Sequence, residues 1–384
     1  MVWPKVSVIW LNYNSTKFIN IVLRSLEAVT ELNYPSDRYE LIVVDNGSTD
    51  GSFEKIKDFL QGVSLRNKIK IIRLERNLGF TGGNNLGFKA RDPESSFVAL
   101  LNNDAIPFSD SLSGLIEFME AHENVGAVQG ILVDLESRRV DTAGDMLTEL
   151  LVAYQLYHNR PAQSVGRSFY ISYADGAYSI FKVEAVKKAV GIENKMFYEE
   201  MFAYFDDSVL GLQLWNAGFK VLSCPIMAAL HRRSSSFGTT SAFRLYLMTR
   251  GYIALNEISN SVFKSLIRTT FPMRILKRSV ISLLTSKLAG GKYRLLSSPN
   301  EVLLALYKGY EDGVRWGRNK LREMKSPLDI YKAPILRLPV TNNVAMLLTG
   351  VGMDFAKKFS TEYITKKFEN EILKFIAVKA KQAH

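Results

Sequence analysis

The stretch Phe97-Val-Ala-Leu-Leu-Asn-Asn-Asp-Ala-Ile-Pro107 decides the fold of this chain. Its first five residues are apolar, too few for a helix and bounded by polar residues, so they predict a buried strand of a parallel sheet. The strand runs directly into Asn102, Asn103 and Asp104. Ligands bind beyond the carboxyl ends of such strands, where a carboxylate can hold a divalent cation and amides can hydrogen-bond to a sugar hydroxyl. A polar turn is the alternative, since Asn and Asp are also favoured in turns.

Three earlier apolar segments have the same form as this strand, namely Val6 to Leu11, Tyr39 to Val44 and Ile69 to Leu74. Residues at helical spacing follow the first two segments, and a glycine-rich loop, Gly79 to Gly87, leads into a helix before the fourth strand. This alternation of strand and helix predicts βαβ units and a largely parallel sheet. The fold class is therefore α/β.

Two further polar residues close predicted strands of this sheet. Asn12 ends the first strand and Asp45 ends the second, on the same sheet edge as Asp104. A carboxylate at this edge can accept hydrogen bonds from a nucleobase or from ribose hydroxyls. Capping of the next helix is an equal alternative for Asp45, because Ser48 and its neighbours suit that role as well.

An acidic pair, Asp206 and Asp207, follows an aromatic run and precedes apolar residues at helical spacing. Two adjacent carboxylates beside aromatic walls suit a general base, because desolvation and like charge both raise a carboxylate pKa. The alternative is a helix N-terminus stabilised by two acids. His231 lies further along the chain, and a single histidine is more often structural than a metal ligand.

Composition adds limits on size, redox state and partners. The chain has 384 residues, enough for an α/β domain and an appended region. Residues 241–384 hold 25 of the 49 basic residues but only 10 of the 38 acidic ones. A single cysteine, Cys224, excludes an internal disulfide. Because neither a secretory signal nor an apolar run of about 20 residues is recognisable, we expect a cytoplasmic protein without a membrane span.

Taken together, six blocks in a fixed order resemble the family 2 inverting glycosyltransferases of the GT-A fold, most closely their rhamnosyltransferase-like and galactofuranosyltransferase-like members. The blocks are Val6–Asn14, Val43–Asp50, Asn77–Gly87, Leu101–Asp104, Phe202–Asp207 and Ala217–Val221, followed by His231. The resemblance covers residues 5 to 255. It implies a GT-A catalytic domain over residues 1–240, with a nucleotide half to residue 105 and an acceptor half from 106, and a basic, mainly helical region over 241–384.

The resemblance also implies a role for each matching residue. A nucleoside-diphosphate sugar of the UDP or dTDP type would contact Asn12, Asp45, Asn77, Gly82, Gly83, Asn85, Asn102 and Asn103. A Mn or Mg ion would be held by Asp104 and His231. Asp207, with Asp206 beside it, would be the catalytic base toward a hydroxyl of a lipid-linked or polysaccharide acceptor. Asn102 departs from the family by replacing the first acid of its metal motif, and Asp206 replaces the usual Glu, so the choice of base rests on alignment.

The basic C-terminal region contains two predicted amphipathic helices. One falls on residues 273–285, and the other begins at the capping box Ser298-Pro-Asn-Glu301. A basic amphipathic helix suits an anionic membrane surface, here the inner face of the cell membrane. Packing on the catalytic domain or on a second copy of the chain is the alternative. No recognised nucleic-acid motif accompanies the charge, so nucleic acid is not an expected partner.

Two other functions compete with a transferase. A sugar-1-phosphate nucleotidyltransferase would need a glycine-rich loop with Lys or Arg after the first strand, where this chain has Asn12-Tyr-Asn14. A non-catalytic nucleotide-sugar-binding or membrane-surface scaffold is the second alternative. Retention of Asp104 and of the acidic pair favours the enzyme.

Overall fold

The computed structural model describes residues 3–62, 68–232, 241–272 and 298–337. The chain divides into two compact units. The first comprises residues 1–146 and 155–238, and the second comprises residues 147–154 and 239–384. The segment 147–154 therefore belongs to the second unit although it lies in the first half of the sequence, which no sequence pattern indicated.

The first unit begins with the four predicted strands. They are β1 (Val6–Asn12), β2 (Tyr39–Asp45), β3 (Lys68–Arg73) and β4 (Phe97–Asn102), and the helices between them are α1 (Ile19–Thr30), α2 (Ser52–Gly62) and α3 (Gly79–Ala90). β1 pairs in parallel with both β2 and β4, and β2 pairs in parallel with β3. The predicted βαβ units and parallel pairing are confirmed for this part of the sheet.

The rest of the sheet is mixed. The next elements are β5 (Ala105–Pro107), α4 (Ser111–Glu120), β6 (Val125–Asp134), β7 (Val140–Thr142), β8 (Asp145–Thr148), β9 (Ala153–Gln155), β10 (Phe169–Tyr170), β11 (Tyr178–Lys182), α5 (Val183–Val190), α6 (Asp206–Asn216) and β12 (Lys220–His231). The strand order is β10-β12-β6-β11-β4-β1-β2-β3, and β5 and β7 pair with β12 and β6. Because β11 runs antiparallel to both β4 and β6, the sheet changes direction beside β4.

The core of this unit forms on strands β1, β2 and β4, whose residues are mostly apolar. Residues along β2 and most of β1 and β4 are buried, as expected for strands covered on both faces. Trp10 of β1 is wholly buried, and its Nε1 donates to Ser25 Oγ of α1 at 3.0 Å. Ser25 Oγ in turn donates to the Ala105 carbonyl at 2.6 Å. These bonds fix α1 against the sheet at the end of β4.

The prediction that Gly79 to Gly87 form a loop is wrong, because these residues make up most of helix α3. Glycine disfavours a helix locally, but here it allows close packing on β1. A Cβ at Gly83 would lie 2.4 Å from Leu11 Cδ1, and one at Gly87 would lie 2.4 Å from Ile9 Cγ2. Tertiary packing thus overrides the local preference.

The second unit is mainly helical within its described residues. It contains α7 (Ala242–Ile258), a helix α8 over residues 264–272, and α9 (Pro299–Glu323). A short strand, β13 (Ile335–Leu336), joins β8 and β9 in a three-stranded sheet. The predicted capping box at the start of α9 is confirmed, since Ser298 Oγ accepts from Glu301 N and Glu301 Oε2 accepts from Ser298 N.

Helices α7 and α9 pack closely through glycines at every fourth position of α9. A Cβ at Gly309 would lie 2.7 Å from the Tyr246 carbonyl oxygen, and one at Gly313 would lie 2.7 Å from that of Arg250. At Gly317 a Cβ would meet α7 at 2.6 Å. Any larger residue at these positions would force the two helices apart.

None of the helices in the described ranges has the length and apolarity needed to cross a bilayer. The predicted amphipathic helix over residues 273–285 lies outside the described residues.

Candidate active site

Three parallel strands end side by side and bring the predicted polar residues to one edge of the sheet. The register pairs Asn12 of β1 with Asp45 of β2, and it pairs Leu11 with Asn102 of β4. Asn103 and Asp104 follow β4 directly and are both buried. The structure therefore gathers at this edge the residues that the sequence placed there.

Asn12 links the ends of the three strands. Its Nδ2 donates to Asp45 Oδ1 at 2.9 Å, and its Oδ1 accepts from Asn103 Nδ2 at 2.8 Å and from Ser15 Oγ at 2.6 Å. Asn12 and Asp45 are both inaccessible to solvent, so these bonds are made in the dry interior. Asp45 also accepts from the backbone N–H and hydroxyl of Ser48, at 3.0 and 2.6 Å, and so organises the turn after β2.

The two predicted metal ligands lie next to each other. Asp104 Oδ1 is 3.4 Å from His231 Nε2, and the antiparallel pairing of β5 with β12 places Ala105 opposite His231. The backbone N–H of Arg232 donates to the Asp104 carbonyl at 2.9 Å, which ties the two chain segments together at this point. Residues more than 100 positions apart are thus held in one buried location.

Asp141 of β7 completes this cluster and was missed by the sequence analysis. Its Oδ2 lies 2.7 Å from His231 Nδ1, so the ring has a carboxylate at each nitrogen. All three side chains are buried, with exposed fractions of 6% for Asp104, 8% for His231 and 2% for Asp141. Burial lowers the pKa of His231, but hydrogen bonds and charge from Asp104 and Asp141 outweigh it and raise the pKa to about 10.

This cluster fits a divalent metal ion bound through Asp104 and His231. A metal-binding histidine typically donates its other ring N–H to a carboxylate, which fixes the tautomer and the ring orientation, and Asp141 occupies that place. In the part of the chain that the structure describes, no group of three or more His, Cys, Asp or Glu side chains is arranged to hold a metal by itself. The binding of a metal ion by Asp104 and His231 stays a prediction.

The acidic pair lies at the N-terminus of α6, as the helix-terminus alternative predicted. Asp206 is buried, with an exposed fraction of 4%, and burial raises its pKa to about 7 against opposing backbone hydrogen bonds and with a contribution from Asp175. The pKa of Asp207 is also raised, first by burial and then by the charges of Asp206, Asp175 and Asp145. A carboxylate in this environment can accept a proton near neutral pH, and the role of the pair as a general base stays a prediction.

Asp145 and Asp175 were not identified from the sequence as parts of this acidic group. Asp145 is buried at the start of β8 and accepts from Thr142 Oγ1 at 3.3 Å. Asp175 precedes β11, and the backbone N–H of Ala177 donates to its Oδ1 at 2.7 Å. The Asp175-Gly176 turn signal before an apolar run was the only available indication of the second residue.

The backbone before the acidic pair is strained. Phe202, Tyr204 and Phe205 have φ angles of 62°, 71° and 65°, which non-glycine residues rarely adopt. Ala203 N donates to the Met201 carbonyl at 2.6 Å, which closes a three-residue γ-turn around Phe202. Such conformations persist only where the surroundings hold them, and they cluster at functional sites.

The remaining predicted residues lie at the start of α3 and within it. Asn46, which the sequence analysis did not select, donates from Nδ2 to Asn77 Oδ1 and to the Gly79 carbonyl, both at 2.9 Å. Its Oδ1 accepts from Leu78 N at 2.9 Å. Asn77 and the N-terminus of α3 are therefore attached to the end of β2. The predicted contacts of Asn77, Gly82, Gly83 and Asn85 with a nucleotide stay predictions.

Comparison with known proteins gives one family. Residues 7–189 match the model described as Glycosyl transferase family 2. An uncharacterized glycosyltransferase of Nostoc is 30% identical over 153 residues, which cover 39% of this chain and 44% of the relative. The poly(ribitol-phosphate) β-N-acetylglucosaminyltransferase TarS of Staphylococcus aureus is 31% identical over 121 residues, which cover 31% of this chain and 20% of TarS.

A solved structure supports the fold independently of sequence. The structure of GalNAc-T7 with UDP, GalNAc and Mn²⁺ superposes with a TM-score of 0.53 at 12% identity, covering 85% of this chain and 58% of that one. The α/β fold of the first unit is thus of the GT-A type, with a helical region after it. The chain spans less than half of the length of the two curated relatives described above.

Proposed function

Because residues 7–189 match the Glycosyl transferase family 2 model, we propose that the chain belongs to this family and moves a sugar from a nucleoside-diphosphate sugar to a hydroxyl of a glycan acceptor. The observation that carries this proposal is the buried group of Asp104, His231 and Asp141, which lies where β4 ends beside Asn12 and Asp45. A metal-binding cluster next to a polar strand edge suits a ligand that combines a nucleoside with a diphosphate.

The nucleoside of the donor, of the UDP or dTDP type, lies over Asn12 and Asp45 in this proposal. Asp45 is inaccessible to solvent and already accepts from Asn12 and Ser48, so in this proposal it holds the turn after β2 against which the base or the ribose lies. Asn102 and Asn103 follow on the next strand and face the ribose or the sugar. Their amides hydrogen-bond to hydroxyls without adding charge beside the diphosphate.

Asp104 and His231 would hold a Mn²⁺ or Mg²⁺ ion, and Asp141 would fix the ring of His231 through Nδ1. When bound, such an ion neutralises the charge that develops on the leaving diphosphate. Asn102 replaces the first acid of the family motif, so the protein contributes one carboxylate and one imidazole at this place.

Asp207 is the general base in this proposal, with Asp206 beside it. Its raised pKa, caused by burial and by the neighbouring carboxylates, lets it accept the proton of an acceptor hydroxyl. That hydroxyl oxygen forms the new bond to the anomeric carbon as the bond to the diphosphate breaks on the opposite face. A single displacement inverts the anomeric centre and requires no covalent intermediate.

The acceptor is a lipid-linked or polymeric glycan, which TarS supports by its name as a transferase acting on poly(ribitol-phosphate). A lipid-linked acceptor requires the enzyme at the inner face of a membrane. Near the start of α9, Leu304 and Tyr307 are exposed beside Lys308, a combination that suits an anionic bilayer. Sedimentation with anionic vesicles, but not with neutral ones, would support this localisation, whereas self-association without vesicles would indicate a second copy as the partner.

The proposed function is tested by thermal unfolding with UDP, dTDP and GDP, each with and without Mn²⁺. A ligand that binds only the folded protein at 100 times its Kd stabilises by about 2.7 kcal/mol. We expect a metal-dependent rise in Tm with UDP or dTDP that is lost in Asp104→Ala and retained in Asp110→Ala, which removes an exposed acid nearby. No rise with any nucleotide would refute catalysis from a nucleotide sugar and leave the scaffold alternative.

A further inference from the structure

The side-chain amide of Asn85, in the middle of α3, is bonded to a loop 112 residues later in the chain. Its Oδ1 accepts from the backbone N–H groups of Met196 and Phe197, at 2.9 and 3.0 Å. Its Nδ2 donates to the Phe197 carbonyl at 2.9 Å and to Glu199 Oε1 at 3.3 Å. An asparagine amide has two acceptor positions and two donor hydrogens, so all four are used here.

Asn85 is also buried, with an exposed fraction of 3%. The family resemblance implies that this side chain contacts a nucleotide, whereas its donors and acceptors are all used within the protein here. Burying an amide costs free energy unless its donors and acceptors form hydrogen bonds. Asn85 therefore holds the loop firmly, and the loop supplies the hydrogen-bond partners that the buried amide needs.

Two other residues of α3 hold the far end of the same loop. Thr81 donates from its backbone N–H to the Phe202 carbonyl at 3.1 Å and from Oγ1 to the Glu199 carbonyl at 3.1 Å. Gly79 passes so close that a Cβ there would lie 2.3 Å from the Phe202 carbonyl oxygen. Helix α3 therefore fixes residues 196–202 at both ends.

The loop leads directly into the acidic pair through the strained residues. Phe202, Tyr204 and Phe205, with positive φ angles, separate the segment held by α3 from Asp206. Strain of this kind is unfavourable at each residue and needs surroundings that enforce it. The bonds from Asn85 and Thr81 constrain the chain just upstream of the pair.

We propose that Asn85 is a positioning residue, which holds residues 196–202 so that the carboxylates of Asp206 and Asp207 face the acceptor hydroxyl. This inference rests on the proposed function for its catalytic meaning, but not for its structural content. Helix α3 then connects the end of β2, where Asn46 holds its N-terminus, to the base at the start of α6.

The structural content is tested by amide hydrogen exchange in Asn85→Ala, with Asn84→Ala as the matched control. Asn84 is equally buried on the same helix, and its Nδ2 donates to the Phe80 carbonyl of α3 itself. We expect exchange across residues 196–207 to accelerate at least tenfold in Asn85→Ala and to stay within twofold of wild type in Asn84→Ala. Equal acceleration in both variants would overturn the proposal.

The catalytic content is tested with the nucleotide-sugar donor that the wild-type protein consumes. Displacing catalytic groups by about 1 Å can cost 100-fold in rate, so we expect kcat to fall roughly 10- to 100-fold in Asn85→Ala. The donor KM and the affinity for UDP with Mn²⁺ should stay within twofold. The acid limb of the kcat profile should move to lower pH, because a released loop admits water to the pair. A merely structural residue would lower the folded fraction without moving this limb.

A graded variant guards against misfolding of Asn85→Ala. Thr81→Val removes the single hydrogen bond from Oγ1 to the Glu199 carbonyl and keeps the side-chain shape. It should therefore change amide exchange and kcat in the same direction as Asn85→Ala, but by a smaller amount. Loss of UDP binding in Asn85→Ala with normal exchange of residues 196–207 would instead assign Asn85 to the nucleotide. If wild-type protein binds no nucleotide, the proposed function fails, while the exchange experiment still decides whether Asn85 holds the loop.

Discussion

The Nδ1 atom of His231 lies 2.7 Å from Oδ2 of Asp141, while the Nε2 atom of the same ring faces Asp104 at 3.4 Å. A carboxylate in this position orients a metal-binding imidazole and increases its basicity, and losing it typically costs 10- to 100-fold in metal affinity.

Asp141→Asn is therefore expected to weaken Mn²⁺ binding by roughly 10- to 100-fold, measured by electron paramagnetic resonance of free Mn²⁺ in the presence of UDP. Asp134→Asn is the matched control, since it removes a nearby negative charge whose carboxylate accepts from Ser137 N. Equal Mn²⁺ affinity in Asp141→Asn and wild type would show that this carboxylate has no role in metal binding.

Asp207→Asn is expected to lower kcat by about 10²- to 10⁴-fold, the usual contribution of a positioned general base, while UDP binding with Mn²⁺ is retained. Asp206→Asn is the comparison that identifies the base, because the two side chains are neighbours in the first turn of α6. The residue whose substitution causes the larger loss of kcat at high pH is the general base. Wild-type rates in both variants would refute a role for either carboxylate in catalysis.

Asp206→Asn also has a predicted effect on stability that depends on pH. Burial raises the pKa of Asp206 from its ordinary 3.8 to about 7. A raised pKa in the folded state favours folding below pH 4, and this contribution is lost as pH rises through 7. We expect urea denaturation to show that the stability of Asp206→Asn relative to wild type increases from pH 4 to pH 8.

Asp50→Asn provides a control of opposite sign. Burial raises the pKa of Asp50, but hydrogen bonds from Ser52 and Thr16 outweigh it and leave the pKa lowered. The free energy that this carboxylate contributes to folding is present above its unfolded pKa and lost as pH falls. Asp50→Asn should therefore be less stable than wild type at pH 7, and the difference between the two proteins should be smaller at pH 4. The same pH trend in both variants would contradict the assignment for Asp206.

Gly79→Ala is expected to destabilise the protein more than Gly51→Ala. Both glycines have positive φ angles, of 76° and 81°, so both substitutions incur the roughly 1–2 kcal/mol cost of a left-handed conformation. A Cβ at Gly51 meets nothing within 4 Å, whereas one at Gly79 collides with Phe202. The difference in unfolding free energy, about 1–3 kcal/mol for an overpacked site, is measured by urea denaturation. Equal losses would show that the approach of α3 to Phe202 is not tight.

The sequence predicted the part of the fold in which the local residue pattern of each segment determines its secondary structure. Strands β1, β2 and β4 are mostly apolar, and the polar ends of the parallel strands fall at one edge because these strands share a direction. The mixed half of the sheet also contains strands of two or three residues, such as β7 and β10, which are too short to carry a pattern. The prediction of a loop over Gly79 to Gly87 was wrong because it considered only the local preference of glycine. The close packing of this helix on Ile9 and Leu11 of β1 is a tertiary contact.

The candidate site divides in the same way. Asp104, Asp206, Asp207 and His231 stand beside recognisable blocks, so residue type and position were sufficient to select them. Asp141 has no local signal, because it reaches His231 only through the pairing of β7 with β6 and of β6 with β12. The bonds of Asn85 to the loop at Met196 likewise follow from tertiary structure alone.

The inclusion of residues 147–154 in the second unit makes that unit discontinuous in sequence. Its small sheet takes β8 and β9 from this insertion and β13 from Ile335–Leu336, at the far end of the described chain. A truncation after residue 240 would therefore deprive β8 of a partner strand and leave an open strand edge, which is a common starting point for aggregation. Trimming the protein to its family-matched domain would remove part of a sheet whose other strands remain behind.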